Sequence, residues 1–503
     1  MDFLNEYKDL LRRLLNSDDS MEEAALLIDG FHKSGTSPDA DALYLEAVYH
    51  YYKGTYVLAL FYADMAYKKD NSYYALPELL YNLVEYSGDM KDYIPTFTED
   101  VSSYERKRTI LMYEGVIPII DYTVHACEYI FKALGHEVLC LKVDKNDKSK
   151  SVFDLLLKYM TRKIDFAFIF NNLGLNIKFG DESYYDVAGM RVYNYLFDHP
   201  MAFYDSLDNP PQNMILTCVD KKHVEYVERY YDKVKKVIFF PLGSEEYTGS
   251  DSMPWKERPV EALYVGSLKV ADAAFDDDFS KYVYEYMLKR TYITTEEAIK
   301  ECYISCDEQL FIKIFGESAL LGRTDISDED IKLIIQKYRF VDLNVNSFFR
   351  RKLVEVLIDN EIHVDVYGNG WNYPELLNNP YFHYKGVVPQ EECLRQMKMT
   401  KFVLNSMPWF KDGAHDRVYN AMLAGALCVT DKSKFLTDEF KDGEDILFYD
   451  LDAMNRIPDI LRYYDNHPEE AENIAKRGYE QVTYGHTWQR RIIDMLMNDD
   501  KTV

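Results

Sequence analysis

One stretch of the sequence concentrates residue types suited to a charged, hydroxyl-rich ligand: Asn405 to Phe440, NSMPWFKDGAHDRVYNAMLAGALCVTDKSKFLTDEF. A polar loop containing one glycine, Lys411 to Asp416, runs straight into a helical pattern. A helix start presents unpaired N–H groups at the positive end of its dipole, which suits a diphosphate. Gly413 to Val418 therefore form the candidate phosphate cradle. Asp412 precedes the helix and Asn420 lies a turn inside it, so one can meet a sugar ring and the other a ribose with phosphates between them. Arg417 offers a guanidinium fork to such phosphates. His415 stands at the start of the same helix.

Two further sets of residues join them. Gly266 and Ser267 end the strand pattern EALYVGS, where a small residue lets main chain approach a ligand, and Lys269 follows them. Asp198-His199 follows the strand pattern RVYNYLF, and either side chain there can take the proton of an incoming hydroxyl. Plainer roles compete at each position. His199 orders the turn before Pro200, Gly413 forms a turn, Arg417 pairs with Asp416 or Asp412, and Gly266 marks close helix–sheet packing. For 405–431 the agreement of loop chemistry, helix start and flanking pattern favours ligand binding. For His199 and Lys269 both readings stay open. His125, His136, His363 and His383 lie inside expected elements and read as structural. The 44 tyrosines mostly recur at helix or strand spacing, as core and half-buried rim.

These residues need elements to hold them. The first hundred residues read as helices only, with Leu10, Leu11, Leu14 and Leu15 at helical spacing. From Asp41 to Tyr73, two apolar helices flank Lys53-Gly54, with small alanines beside large tyrosines as in a tetratricopeptide repeat, and Asp70-Asn71 close the unit. From Arg106 the pattern alternates: strands at 108–113, 136–143, 164–170, 190–197, 213–219 and 236–243, with helices at 122–136 and up to Arg162 between them. Apolar strands joined by helical crossovers predict a parallel sheet covered on both faces. A polar linker, 247–259, precedes a second series with strands at 261–267, 363–368, 382–386, 400–406 and 426–431. Its helices are 348–360, PQEECLRQMKM, 417–425 and a closing helix at 486–498, and a helix-rich acidic insertion interrupts it from about 270 to 346. The expected divisions are a helical module over 1–104, one Rossmann-like domain over 105–255, a second over 256–485 and a closing helix over 486–503. In open parallel sheets ligands bind at the carboxyl ends of strands, so chemistry is expected in the loops after them.

Composition narrows the partners. The formal charge is 58 − 85 = −27, which argues against nucleic acid or an anionic membrane as partner. At about 150 residues per domain the 503-residue length predicts two to four domains. Seven scattered cysteines fit reduced thiols in a cytoplasm, and Cys302 and Cys306 lack the further ligands of a zinc site. The charged start MDFLNEYKDL is no signal peptide, and no apolar run approaches the ~20 residues of a membrane span. A soluble, cytoplasmic protein is expected.

The second half resembles group-1 glycosyltransferases of the GT-B fold, most closely their spore-maturation (CgeB-like) branch. The segments that carry the resemblance are RPVEALYVGSLK (258–269), RRKLVEVL with HVDVYGNGW (350–371), FHYKGVVPQEECLRQM (382–397), LNSMPWFKDGAHDRVYNAMLAGALCVTD (404–431), FKDGEDILFYDL (440–451) and GHTWQRR (485–491), in family order. The first Rossmann-like half resembles the partner domain only through IDFAFIF, NYLFDHP and FFPLG, and the helical N-terminus lies outside the resemblance. The resemblance implies two Rossmann-like domains facing a cleft, with a nucleotide-sugar donor held mainly by the second. Asp412 and Asn420 fall where the family has the two glutamates of its E-x7-E motif. Neither is glutamate here, which weakens inference about stereochemistry. Gly368 and Asn369, with Val387 and Val388, match loops lining the nucleoside pocket; the resemblance further implies that Arg417 and Lys269 stabilise the departing nucleotide and that His415 faces the transferred sugar or the phosphates. No Asp-x-Asp motif sits at a suitable strand end, so cationic side chains and a helix dipole are expected to replace a metal, and no cofactor is expected.

The expected activity is sugar transfer from a nucleotide diphosphate to an acceptor hydroxyl on a glycan or protein. The repeat module suits a protein acceptor, such as flagellin, or a partner protein, and a homo-oligomer is possible. Two alternatives remain: a nucleotide-sugar epimerase on the same scaffold, and a non-catalytic scaffold. A dehydrogenase is disfavoured because no G-x-G-x-x-G follows strand 108–113.

Overall fold

The computed structural model describes residues 2–16, 20–34, 36–70, 75–76, 79, 107–115, 117–143, 164–179, 182–245, 253–269 and 277–499. The helix expected up to Arg162, the start of the linker (247–252), the start of the insertion and the end of the repeat-like segment (Asn71 to Tyr73) lie outside the described residues.

Four helices begin the chain: Asp2–Leu15, Met21–Lys33, Ala40–Tyr52 and Tyr56–Lys69. Tyr7, Leu11, Ala24, Ile28, Phe31, Ala42, Leu45 and Tyr49 close into one core. The Asp39 carboxylate accepts Ala42 N–H at 2.9 Å and so starts the third helix. Within this core the fully buried Glu46 carboxylate accepts the Tyr7 hydroxyl at 2.8 Å and meets His32 Nε2 at 2.9 Å. Burial raises the pKa of Glu46 even though both partners lower it.

Two six-stranded sheets follow. The first contains β1 (Thr109–Glu114), β2 (Glu137–Lys142), β3 (Phe166–Phe170), β6 (Arg191–Leu196), β7 (Met214–Cys218) and β8 (Lys236–Phe239), in the order β2-β1-β3-β6-β7-β8. A short antiparallel pair, β4 (Lys178–Phe179) and β5 (Glu182–Ser183), interrupts the series. The second sheet contains β9 (Val260–Val265), β10 (Val364–Tyr367), β11 (Phe382–Gly386), β12 (Thr400–Leu404), β13 (Leu427–Asp431) and β14 (Leu447–Tyr449), in the order β11-β10-β9-β12-β13-β14, parallel throughout. Each sheet reverses its strand order beside its first strand, which is the doubly wound arrangement expected.

The described residues form two compact units: Met1–Val124 with Leu134–Asn194 and Pro211–Met214, and His125–Ala133 with Tyr195–Pro210 and Ile215–Val503. Asp198, His199 and the chain after β7, expected on the acceptor side of a boundary at 255, thus belong to the unit that holds the second sheet.

The insertion forms helices Asp278–Lys289, Thr295–Ser305, Glu308–Phe315 and Asp328–Tyr338. Asp277 and Thr294 build reciprocal capping boxes at the first two. Phe279, Val283, Ile299, Phe311, Ile331 and Ile335 give the insertion its own apolar interior. The next helix, Val341–Ile358, starts seven residues before the expected 348. Local pattern hides this start because Phe340, at its cap, offers no side-chain hydrogen bond. The early start puts Asp342 and Asn346 on its first turns. β14 and the helix Pro468–Gly485 were not among the expected elements.

Candidate active site at the strand ends of the second sheet

The turn after β9 is clamped onto the turn after β10. Gly266 N–H donates to Tyr367 O at 2.8 Å, and Leu268 N–H donates to Asn369 O at 2.9 Å. Asn369 N–H donates to Ser267 Oγ at 2.9 Å, and Trp371 Nε1–H donates to Gly266 O at 2.8 Å. Gly368 has φ +134°, and a Cβ on it would sit 2.4 Å from Gly266 O, so close packing alone demands a glycine there. Lys269 is exposed, while Ser347 Oγ accepts its N–H and donates to its carbonyl at 2.9 and 2.7 Å.

Two buried guanidiniums meet at this clamp. Arg417, in the first turn of helix Asp416–Leu423, donates to Asn405 Oδ1 at 2.7 Å and lies 5.3 Å above the Tyr264 ring. Its Nη2 lies 3.1 Å from where a Cβ on Gly266 would be. Arg350, on helix Val341–Ile358, donates to Ser267 O at 2.7 Å and stacks on Trp409 at 5.1 Å, and its Nε has no hydrogen-bond partner. Both are 6% exposed, and among the described residues neither forms an ion pair. Burial, together with the charge of Arg417, lowers the pKa of Arg350. The expected partners of Arg417, Asp412 and Asp416, do not pair with it: a neutral amide holds it instead.

The other expected residues divide into two groups. His415 caps the helix, with its Nδ1 accepting Arg417 N–H at 3.1 Å and lying 2.5 Å from Asp416 Oδ1. Its ring lies beside Trp409 and Phe410, and burial and the adjacent Arg417 lower its pKa. Asn420 is buried and donates to Asp416 Oδ2 at 3.2 Å. Val418 is fully buried, and its N–H is taken by His415 O at 3.1 Å, so its side chain is core. Val387 is 62% exposed and Val388 half-buried.

Asp412 and Gly413 are held by a residue the sequence reading missed. Asp220, fully buried after β7, accepts N–H groups from Lys222 (2.7 Å), Lys411 (2.7 Å) and Asp412 (2.9 Å). Burial pushes it up to about 6, against the pull of those bonds. Lys221 N–H in turn donates to Asp412 O at 3.1 Å, and Lys221 Nζ lies 3.5 Å from Asp412 Oδ1. A Cβ on Gly413 would sit 2.3 Å from Val219 O. The space beside its Cα is therefore filled by the end of β7.

His199 orders the turn before Pro200. Its Nδ1 accepts Met201 N–H at 3.1 Å, capping the short turn Pro200–Phe203, and its Nε2 is turned to Glu296 Oε2 at 3.3 Å. Asp198 beside it is exposed.

Arg350, Trp409, Asp342, Asn346 and Asp220 were not singled out from sequence. Asp220 carried a usable signal, a polar residue directly after the apolar strand NMILTCV. Arg350 lay in a quoted motif, but the helix register that turns it inward depends on the start at Val341.

Asp431, 1% exposed at the end of β13, accepts Met407 N–H at 2.9 Å and is pushed by burial up to about 7 from 3.8. Between those values the folded protein binds a proton that the unfolded chain has lost, so this group costs stability as pH rises from about 4 to about 7. Asp431→Asn keeps the acceptor and removes the titration. Its stability gain over the wild type should be larger at pH 8 than at pH 5, by at most about 3 kcal/mol. Thermal unfolding at the two pH values measures the difference.

Residues 348–497, which include both arginines, match a family described as "Glycosyl transferase-like". No curated protein matches the chain. Among solved structures, Anabaena HepE in complex with UDP and glucose is similar at 8% identity and TM-score 0.43, over 78% of this chain and 97% of that one. A glycosyltransferase from Rickettsia africae is similar at 9% and 0.46, over 79% and 100%. Sucrose-phosphate synthase from Thermosynechococcus elongatus is similar at 11% and 0.41, over 77% and 97%. No helix among the described residues is long and apolar enough to cross a membrane.

Proposed function

We propose that this protein is a glycosyltransferase that moves a sugar from a nucleotide-diphosphate donor to an acceptor hydroxyl. The observation that supports the reading is the pair of buried guanidiniums at Gly266-Ser267, neither of which forms an ion pair among the described residues. Two such charges side by side are costly unless an anion joins them. A diphosphate fits that need, because guanidinium forks match phosphate oxygens geometrically. The same groups stabilise the charge that builds on the nucleoside diphosphate as its bond to the sugar breaks. The dipole of helix Asp416–Leu423, starting beside Arg417, adds to that field.

His415 contacts the transferred sugar in this reading, and exposed Asp198 is the candidate to receive the acceptor's proton. Charge neutralisation by arginine makes transfer independent of a metal ion. The acceptor is a glycan or a protein hydroxyl, with the N-terminal helices as the candidate docking surface for a protein.

Melting of the purified protein with UDP, GDP, dTDP and CDP and their sugar derivatives, with and without EDTA, tests this. A ligand at a hundred times its Kd adds about 2.7 kcal/mol. One base should raise the melting temperature regardless of EDTA. No rise with any of them would favour the non-catalytic scaffold.

A further inference from the structure

Asn346 is 2% exposed, and neither its Oδ1 nor its Nδ2 has a hydrogen-bond partner. Leaving buried amide groups unpaired costs about 1–3 kcal/mol each, and a leucine of similar size would remove that cost. The amide borders a cavity of about 10 Å³ that Asp342, Trp409, Lys411 and Thr295 also line. Asp342 stands four residues before Asn346, on the same helix face.

The lining selects a ligand class. An amide both donates and accepts, which suits hydroxyl groups. Asp342, pushed up to about 7 chiefly by burial, disfavours an anion here. Half-buried Lys411 and nearby Arg350 disfavour a cation. Trp409 supplies an apolar face, and its ring also carries Arg350 at 5.1 Å, so the cavity adjoins the paired arginines. A neutral ring with several hydroxyls and an apolar face meets all of these conditions.

We infer that Asn346 and Asp342, with Trp409, form the compartment that binds the hydroxyl groups of the donor's sugar, roofed by the helical insertion. This rests on the nucleotide-sugar reading above. About 10 Å³ holds roughly one water molecule, so a sugar ring enters only when the roof shifts. Lys411 Nζ, donating to Thr291 O at 2.7 Å, and Tyr292, donating to Asp450 Oδ1 at 2.8 Å, tie that roof down.

The test is calorimetric titration of the full chain and its Asn346→Leu and Asn346→Ser variants. The probes are whichever nucleoside diphosphate among UDP, GDP, dTDP and CDP stabilises the wild type most, and its glucose, N-acetylglucosamine and mannose derivatives. Both variants should bind the free diphosphate within twofold of wild type. The ratio of sugar-nucleotide Kd to diphosphate Kd should rise at least tenfold for the preferred sugar, while Asn346→Leu melts no lower than wild type. An unchanged ratio overturns the compartment and leaves the diphosphate reading intact. Equal weakening of both ligands also overturns it, because Asn346 would then act only by supporting the arginines. A wild type that binds neither probe overturns both inferences, and Asn346→Ser keeps the test open if the leucine variant fails to fold.

Discussion

Arg417→Ala and Arg350→Ala should each lower kcat/KM for sugar transfer by about 10²–10³, the loss typical of removing one donor from a developing anion. Each guanidinium is buried without an ion-pair partner among the described residues, so its charge is available to a ligand rather than spent within the fold. Lysine at either position should recover only part of the loss, because an ammonium keeps the charge but not the planar fork. The double variant should fall short of the product of the two single losses, since both side chains address one diphosphate. Removing one of two like charges should leave the melting temperature unchanged or higher. Steady-state kinetics with melting curves on the same preparations checks both halves. Losses below threefold at full stability would remove the diphosphate from this position.

The second large effect concerns stability. Asp220→Ala should cost about 3–5 kcal/mol, because it strands the N–H groups of Lys222, Lys411 and Asp412 in a buried place. Those bonds fix the loop that leads into helix Asp416–Leu423, so the variant should also weaken nucleotide binding. Asn at 220 should recover part of the loss, since its single carbonyl oxygen replaces only one of two acceptor atoms. Urea unfolding gives the value. A cost below 1 kcal/mol would mean that the loop finds other acceptors and that Asp220 is not its anchor.

Together the two predictions separate what holds the site from what the site does. Asp220 acts on loop geometry through main-chain hydrogen bonds, whereas the arginines act on a ligand through charge. Gly413 belongs with the first group, because its lack of a side chain admits the end of β7.

Strand and helix periods are local, and they sufficed for the two parallel sheets: FHYKG was expected at 382–386 and forms β11 over that range. The loop that opens helix Asp416–Leu423 after β12 was also legible, because a glycine-containing loop opening a helix after a buried strand is a short-range pattern. What sequence could not supply was convergence between residues far apart in the chain. Arg350 and Arg417 meet at Gly266 only because β9 pairs with both β10 and β12, which brings three loop ends to one place. Asp220 reaches residues 411 and 412 across nearly two hundred positions. Asn346 faces a cavity only because its helix begins at Val341 and the insertion covers it. Periodicity tells which face of an element is buried, but only tertiary packing decides what that face meets.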